Sequence, residues 1–179
     1  MRYFEKNNPF KSFVPAMRSV LTTPASFFRD LKPAAFYSNA IFFASILIFI
    51  TSFIGVIFHS MTLLFLLPVT WGLSLIGMWF WSAYMSWAVK KLAHGKLTKA
   101  NAFQISAYAA APLILSTVPV LGAIASLWNL YLLWVALVHR CQVKAGMAAL
   151  IIAIPAVLFA TSIAALLALV VQLFPQLSL

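Results

Sequence analysis

Apolar residues fall in four long uncharged runs, at residues 36–58, 63–89, 102–138 and 147–171. A helix needs about 20 consecutive apolar residues, within a range of about 17–25, to cross the hydrocarbon core of a bilayer. The first, second and fourth runs each fit one crossing. The third spans 37 residues and is too long for one. It is interrupted at Val118-Pro119-Val120-Leu121-Gly122, where Pro and Gly signal a turn. The pattern therefore predicts five membrane helices, the third and fourth forming a hairpin. Each arm of about 17–18 residues reaches roughly 26 Å at 1.5 Å per residue. Two short crossings fit, and so does a re-entrant pair that enters and leaves on one side.

Residues 16–32 have a different pattern. Met17, Val20, Leu21, Pro24, Phe27, Phe28 and Leu31 recur at three- and four-residue spacing, with Arg18, Ser19, Thr22, Thr23, Ser26, Arg29 and Asp30 between them. This is an amphipathic helical period. Thr23 before Pro24 reads as an N-cap followed by Pro at the first helical position, so two short helices are expected to meet there. A face of aromatics opposite Arg and Lys suits a helix lying in the headgroup zone. It suits equally a helix packed on the ends of the protein's own bundle.

Charge gives the bundle a direction. Arg2, Lys6, Lys11, Arg18, Arg29 and Lys32 precede the first run, Lys90, Lys91, Lys96 and Lys99 follow the second, and Arg140 and Lys144 follow the third. With five crossings all twelve basic residues share one side. The other connections, at His59-Ser60-Met61-Thr62, near Pro119 and after Phe174, carry none. Short loops rich in Lys and Arg stay cytoplasmic. The expected topology has the N-terminus in the cytoplasm and the C-terminus outside. A cytoplasmic segment at residues 1–35 precedes a membrane domain at 36–174.

Composition agrees with this class. Of 179 residues 64% are hydrophobic and 8% charged, against about 25% charged in soluble domains. The net charge of +10 sits in membrane-flanking loops. It forms neither a basic face on a soluble fold nor a series of lysines interleaved with aromatics, so nucleic acid is not an expected partner. No apolar h-region of a signal peptide stands in the first 34 residues. Cys141 is alone, which excludes an intrachain disulfide and a cysteine-based metal cluster.

Candidate chemistry is sparse. None of the four runs contains Asp, Glu, Lys or Arg, and none has an internal His apart from those at their ends. Intramembrane ionisable groups mark proton relays and ion paths, so proton-coupled transport and intramembrane proteolysis are disfavoured. Glu5 and Asp30 are the only acids and lie far apart, which leaves no carboxylate pair for acid–base work. His59, His94 and His139 fall at span ends on different sides, so neither metal nor cofactor is expected. Gln104 and Asn129 are amides within apolar sequence, and each needs a hydrogen-bond partner, another helix or a ligand. Tyr108 and Pro112 belong with them, because Pro112 frees a backbone carbonyl near Tyr108. Trp79, deep in the second run, is a further contact candidate, whereas Trp87 beside Lys90 and Lys91 reads as an interfacial anchor. Lys90, Lys91, Lys96, Lys99, Arg140 and Lys144 are candidates for binding anionic headgroups or a partner protein. Small residues at four-residue spacing, Ser106 with Ala110, Gly122 with Ser126, and Ala160 with Ala164 and Ala168, fit close helix packing first and a homo-oligomer contact second.

From Lys91 the chain resembles the Yip1 domain family of multi-pass membrane proteins. The residues that carry the resemblance are the Gly-centred basic loop KLAHGKLTK, Tyr108 followed by Pro112, the Pro119–Gly122 turn, Trp128 with Tyr131, and Lys144-Ala145. Upstream, Pro24 with Phe27-Phe28 is similar to the Pro and paired Phe before the family's first span. The likeness covers roughly residues 20–170, and the short N-terminal region is similar to bacterial members. It implies an all-α, polytopic, non-enzymatic protein in a plasma membrane, of the bacterial inner-membrane type. Eukaryotic relatives are linked to vesicle traffic and to prenylated small GTPases; no residue here identifies a GTPase-binding surface. The leading expectation is a protein that organises lipids, or an unidentified membrane partner, at the cytoplasmic face. The alternative is a channel, permease or lipid-translocating protein with its path near the second to fourth membrane helices.

Overall fold

The computed structural model describes residues 3–34, 36–58, 63–118 and 120–173. The expected turns at His59–Thr62 and at Pro119, the residue Arg2, and the tail after Phe174 lie outside them, as do the side chains of the Ala160, Ala164 and Ala168 row. The described residues are all-α. The helices are α1 (Pro9–Thr22), α2 (Pro24–Asp30), α3 (Ser38–Phe58), α4 (Leu63–Leu92), α5 (Lys99–Ala109), α6 (Leu121–His139) and α7 (Ala145–Leu173), with one 3-10 turn (Ala111–Leu115) between α5 and α6.

Three of these helices are long and apolar enough to cross a membrane among the described residues, within Ser38–Val56, Phe65–Leu92 and Leu121–His139. Helix α7 covers the fourth apolar run and contains Pro155. The third run differs from the expected continuous arm. Helix α5 has 11 residues, about 16 Å of rise, and ends at Ala109. Pro112, which has no N–H to donate, lies in the first turn of the tighter 3-10 segment. The hairpin nonetheless reaches deep. A Cβ on Gly55 would stand 3.3 Å from Cγ2 of Thr117. The tip thus lies beside a residue 17 positions into α3, roughly 25 Å along that helix.

The turn back into α6 depends on two local features. Val120 has φ of 66°, in the left-handed region, and Gly122 packs against the preceding backbone. A Cβ at Gly122 would lie 2.5 Å from the carbonyl oxygen of Ser116, so only glycine fits without a shift.

Helices α1 and α2 meet at Thr23, as the Thr-Pro pair predicts, but the cap chemistry is different. The Thr23 hydroxyl makes no capping bond to α2 and instead donates to the Ser19 carbonyl of α1 at 3.1 Å. The apolar face of residues 16–32 is also not a lipid-facing one. Val20, Phe27, Phe28 and Leu31 are buried in the protein's own core. That core is continuous from the N-terminal residues to α3, α5, α6 and the start of α7. Its centre is aromatic. The Tyr108 ring lies 5.0 Å from Phe27 and 4.7 Å from Phe43, Phe4 lies 5.6 Å from Phe43, and the Tyr108 hydroxyl accepts the backbone N–H of Phe4 at 3.2 Å.

Candidate functional site

Three connections converge at one end of the bundle. The Ala34 N–H donates to Oδ1 of Asn101 at 2.8 Å, joining the segment before α3 to the start of α5. The Arg140 guanidinium donates to the Leu31 carbonyl, joining the end of α6 to the end of α2. Gly95, between α4 and α5, sits against the Cys141 backbone, whose carbonyl oxygen would be 3.8 Å from a Cβ there. The loops at 93–98 and 140–144 therefore share an end with residues 31–34. The Ser86 hydroxyl donates to the Leu97 carbonyl at 2.6 Å and folds the lysine-rich loop back onto α4.

The six basic candidates divide into two kinds. Lys90, Lys91, Lys96, Lys99 and Lys144 are exposed. Nζ of Lys99 lies 5.9 Å from the centre of the Trp79 ring, within cation–π range. Arg140 is half-buried. Burial lowers its pKa from the ordinary guanidinium value, while neighbouring Cys141 and Tyr3 oppose the shift. With its bond to Leu31, Arg140 ties α2 to α6, a role distinct from that of the free lysines. Burial likewise raises the Cys141 thiol to about 11, partly opposed by Arg140.

A second feature lies farther along the helices. α3, α4, α5 with its 3-10 turn, and α6 line an open-sided cavity of about 590 Å³. Its polar groups are Thr51, Ser52, Ser74, Ser106, Ser116 and Asn129. No charged side chain among the described residues lines it. Thr51 and Ser106 donate to carbonyls of their own helices, Leu47 and Ala102. The Asn129 amide, by contrast, makes no hydrogen bond to another described residue. Trp81 lines the cavity; Trp79 does not, being half-exposed on α4 against Phe80 at 5.2 Å.

The intramembrane candidates thus separate. Asn129 faces the cavity. Gln104 and Tyr108 line a different cleft of about 350 Å³, beside Lys32, Ser38 and Asn39 at the converged end. Oε1 of Gln104 is buried there without a hydrogen-bond partner among the described residues. Tyr108 serves as the aromatic hub that seats the N-terminal residues. Sequence reading did not single out the hydroxyls Thr51, Ser52, Ser74 and Ser116. The signal was a Ser or Thr in each neighbouring apolar run, a common pattern that only the helix pairing makes specific.

Helix α1 has a buried and an exposed face. Ser12, Ala16 and Val20 are buried on the bundle. Lys11 and Arg18 are exposed, next to Phe10, which is 94% exposed, and Val14, which is 66% exposed, so that this face mixes apolar and basic side chains. Phe10 also borders a shallow apolar hollow with Phe49, Ile50, Leu67, Pro68 and Trp71, so this side continues the outer faces of α3 and α4.

These features define a helical membrane protein with a basic end and a mainly apolar cavity among its helices. The family model for the Yip1 domain matches residues 18–167, and the chain belongs to that family. No curated protein matches the chain, and no solved structure does.

Proposed function

We propose that this Yip1-domain protein is a non-enzymatic integral membrane protein that gathers anionic lipids at the cytoplasmic face. The observation that carries the reading is the convergence, at one end of the bundle, of the exposed lysines in and flanking the 93–98 loop with Lys144 of the 140–144 loop. In this reading that end is cytoplasmic, because Lys- and Arg-rich loops are retained there. The α5–α6 hairpin counts as two crossings, supported by the depth its tip reaches beside Gly55. Helix α1 lies in the interface with Phe10 and Val14 among acyl chains and Lys11 and Arg18 among headgroups. Each basic residue near a negatively charged surface contributes about 1 kcal/mol, so the exposed set is strong enough to enrich anionic lipid.

The test uses full-length protein in nanodiscs of mixed phosphatidylcholine and phosphatidylglycerol. Lipid retained after exchange into detergent is expected to be enriched in phosphatidylglycerol. Replacing Lys90, Lys91, Lys96 and Lys99 with Gln is expected to reduce that enrichment several-fold. Retained lipid with the bulk composition in both proteins defeats the reading.

The cavity favours a second reading, a channel, permease or lipid-moving protein whose path runs by Asn129. It requires flux of an ion, solute or lipid in proteoliposomes that falls in Asn129→Leu. Absence of any flux removes it.

A further inference from the structure

The interior cavity sits halfway along the helices that form it. Asn129 is near the middle of α6 (Leu121–His139), and Ser74 and Gly77 are near the middle of α4 (Leu63–Leu92). It opens sideways. Ser74, Gly77 and Leu130 line it and are themselves exposed, and nothing lies within 4 Å of a Cβ built on Gly77. Its size falls within the roughly 300–1,000 Å³ of small-molecule sites. Its walls are mainly apolar, with Leu47, Met78 and Leu133 among them.

The polar groups limit what can enter. A headgroup phosphate or ammonium at this depth would be desolvated with no counter-charge, at a cost of several kcal/mol. A hydroxyl or ester meets no such barrier. The Asn129 amide, unpartnered among the described residues, offers one acceptor oxygen and two N–H donors. A glycerol that carries a free hydroxyl beside an ester carbonyl satisfies both kinds at once.

We propose that the cavity binds one diacylglycerol-class lipid, entering from the bilayer between α4 and α6. Its hydroxyl donates to Oδ1 of Asn129 and an ester carbonyl accepts from Nδ2. The acyl chains lie along Trp81, Met78 and Leu133. This site is separate from the basic end and does not depend on the reading given for it.

The experiment is native mass spectrometry of the purified full chain in non-ionic detergent. The probes are dioleoylglycerol and, with the same acyl chains, phosphatidic acid. Wild type is expected to retain one dioleoylglycerol. Asn129→Leu is expected to weaken retention about three- to twentyfold, the range for one interhelical polar contact in a membrane. Gly77→Trp, which leaves Asn129 intact and fills open space at the mouth, is expected to abolish it. Phosphatidic acid retention, a property of the basic end, is expected to be the same in all three proteins. Thermal unfolding of each variant checks that it is folded. No dioleoylglycerol adduct on wild type, or wild-type retention in either folded variant, overturns the proposal. A change in phosphatidic acid retention that parallels dioleoylglycerol also overturns it, since one site would then serve both.

Discussion

Tyr108 shows how much a single hydroxyl carries. It accepts the N–H of Phe4 inside an aromatic cluster, with both residues buried. Tyr108→Phe keeps the ring and leaves that N–H unpaired, with an expected loss of about 1–3 kcal/mol, read as a lower Tm in detergent. Gly122→Ala drives a methyl to within 2.5 Å of the Ser116 carbonyl. It is expected to cost about 1–3 kcal/mol, the usual penalty of overpacking, measured the same way. Cys141 gives a test in pH. Its thiol is held at about 11, and only the thiolate reacts with maleimide. Labelling is therefore expected to be slow at neutral pH and to rise about tenfold per pH unit up to pH 10; a plateau near pH 9 would contradict the burial. Of these three residues, sequence reading marked Tyr108 and Gly122 as special and left Cys141 as a free thiol. It could not assign Tyr108 its partner, because Phe4 is 104 residues away.

At the scale of elements, hydrophobic run length placed α3, α4, α6 and α7 well, since length and polarity are properties of the chain itself. The amphipathic segment was harder. Its period revealed a helix pair joined at Thr23-Pro24, but a period does not say what covers the apolar side. Val20, Phe27 and Phe28 cover the bundle, and the exposed apolar side belongs to Phe10 and Val14, one or two turns earlier. Spin labels on α1 test its depth. A label at Phe10→Cys is expected to collide more with oxygen than with a water-soluble nickel chelate in liposomes. A label at Lys11→Cys, about 100° round the helix, is expected to show the reverse. Equal access of the chelate to both would place α1 away from the bilayer. The third apolar run was legible as a hairpin, yet its first arm is α5 and a 3-10 turn, because Pro112 stops the α-helix.

For the whole molecule, the distribution of basic residues was readable and the tertiary joints were not. Charge grouped the loops after α4 and α6 with the N-terminal segment, and the Leu31–Arg140 and Ala34–Asn101 hydrogen bonds bring those same segments together. The cavity was invisible because it is made by four elements, each contributing one or two small polar residues. Cysteine accessibility in intact cells tests the proposed threading. Lys96→Cys is expected to react only after the cytoplasmic side is opened, and Val118→Cys from outside. Labelling of Val118→Cys from the cytoplasm alone would mean that the hairpin stops short of the far surface. The joint between Phe4 and Tyr108 also bears on how the protein is made. The hydroxyl that takes the Phe4 N–H is translated more than a hundred residues after it. During that interval Phe4 has Phe13 and Phe43 within reach, but the early helices enter the translocon without the ring that later joins Phe27 to Phe43. The centre of this bundle is therefore completed from its later-made half, and a nascent chain cut short before Tyr108 leaves the Phe4 N–H without its acceptor.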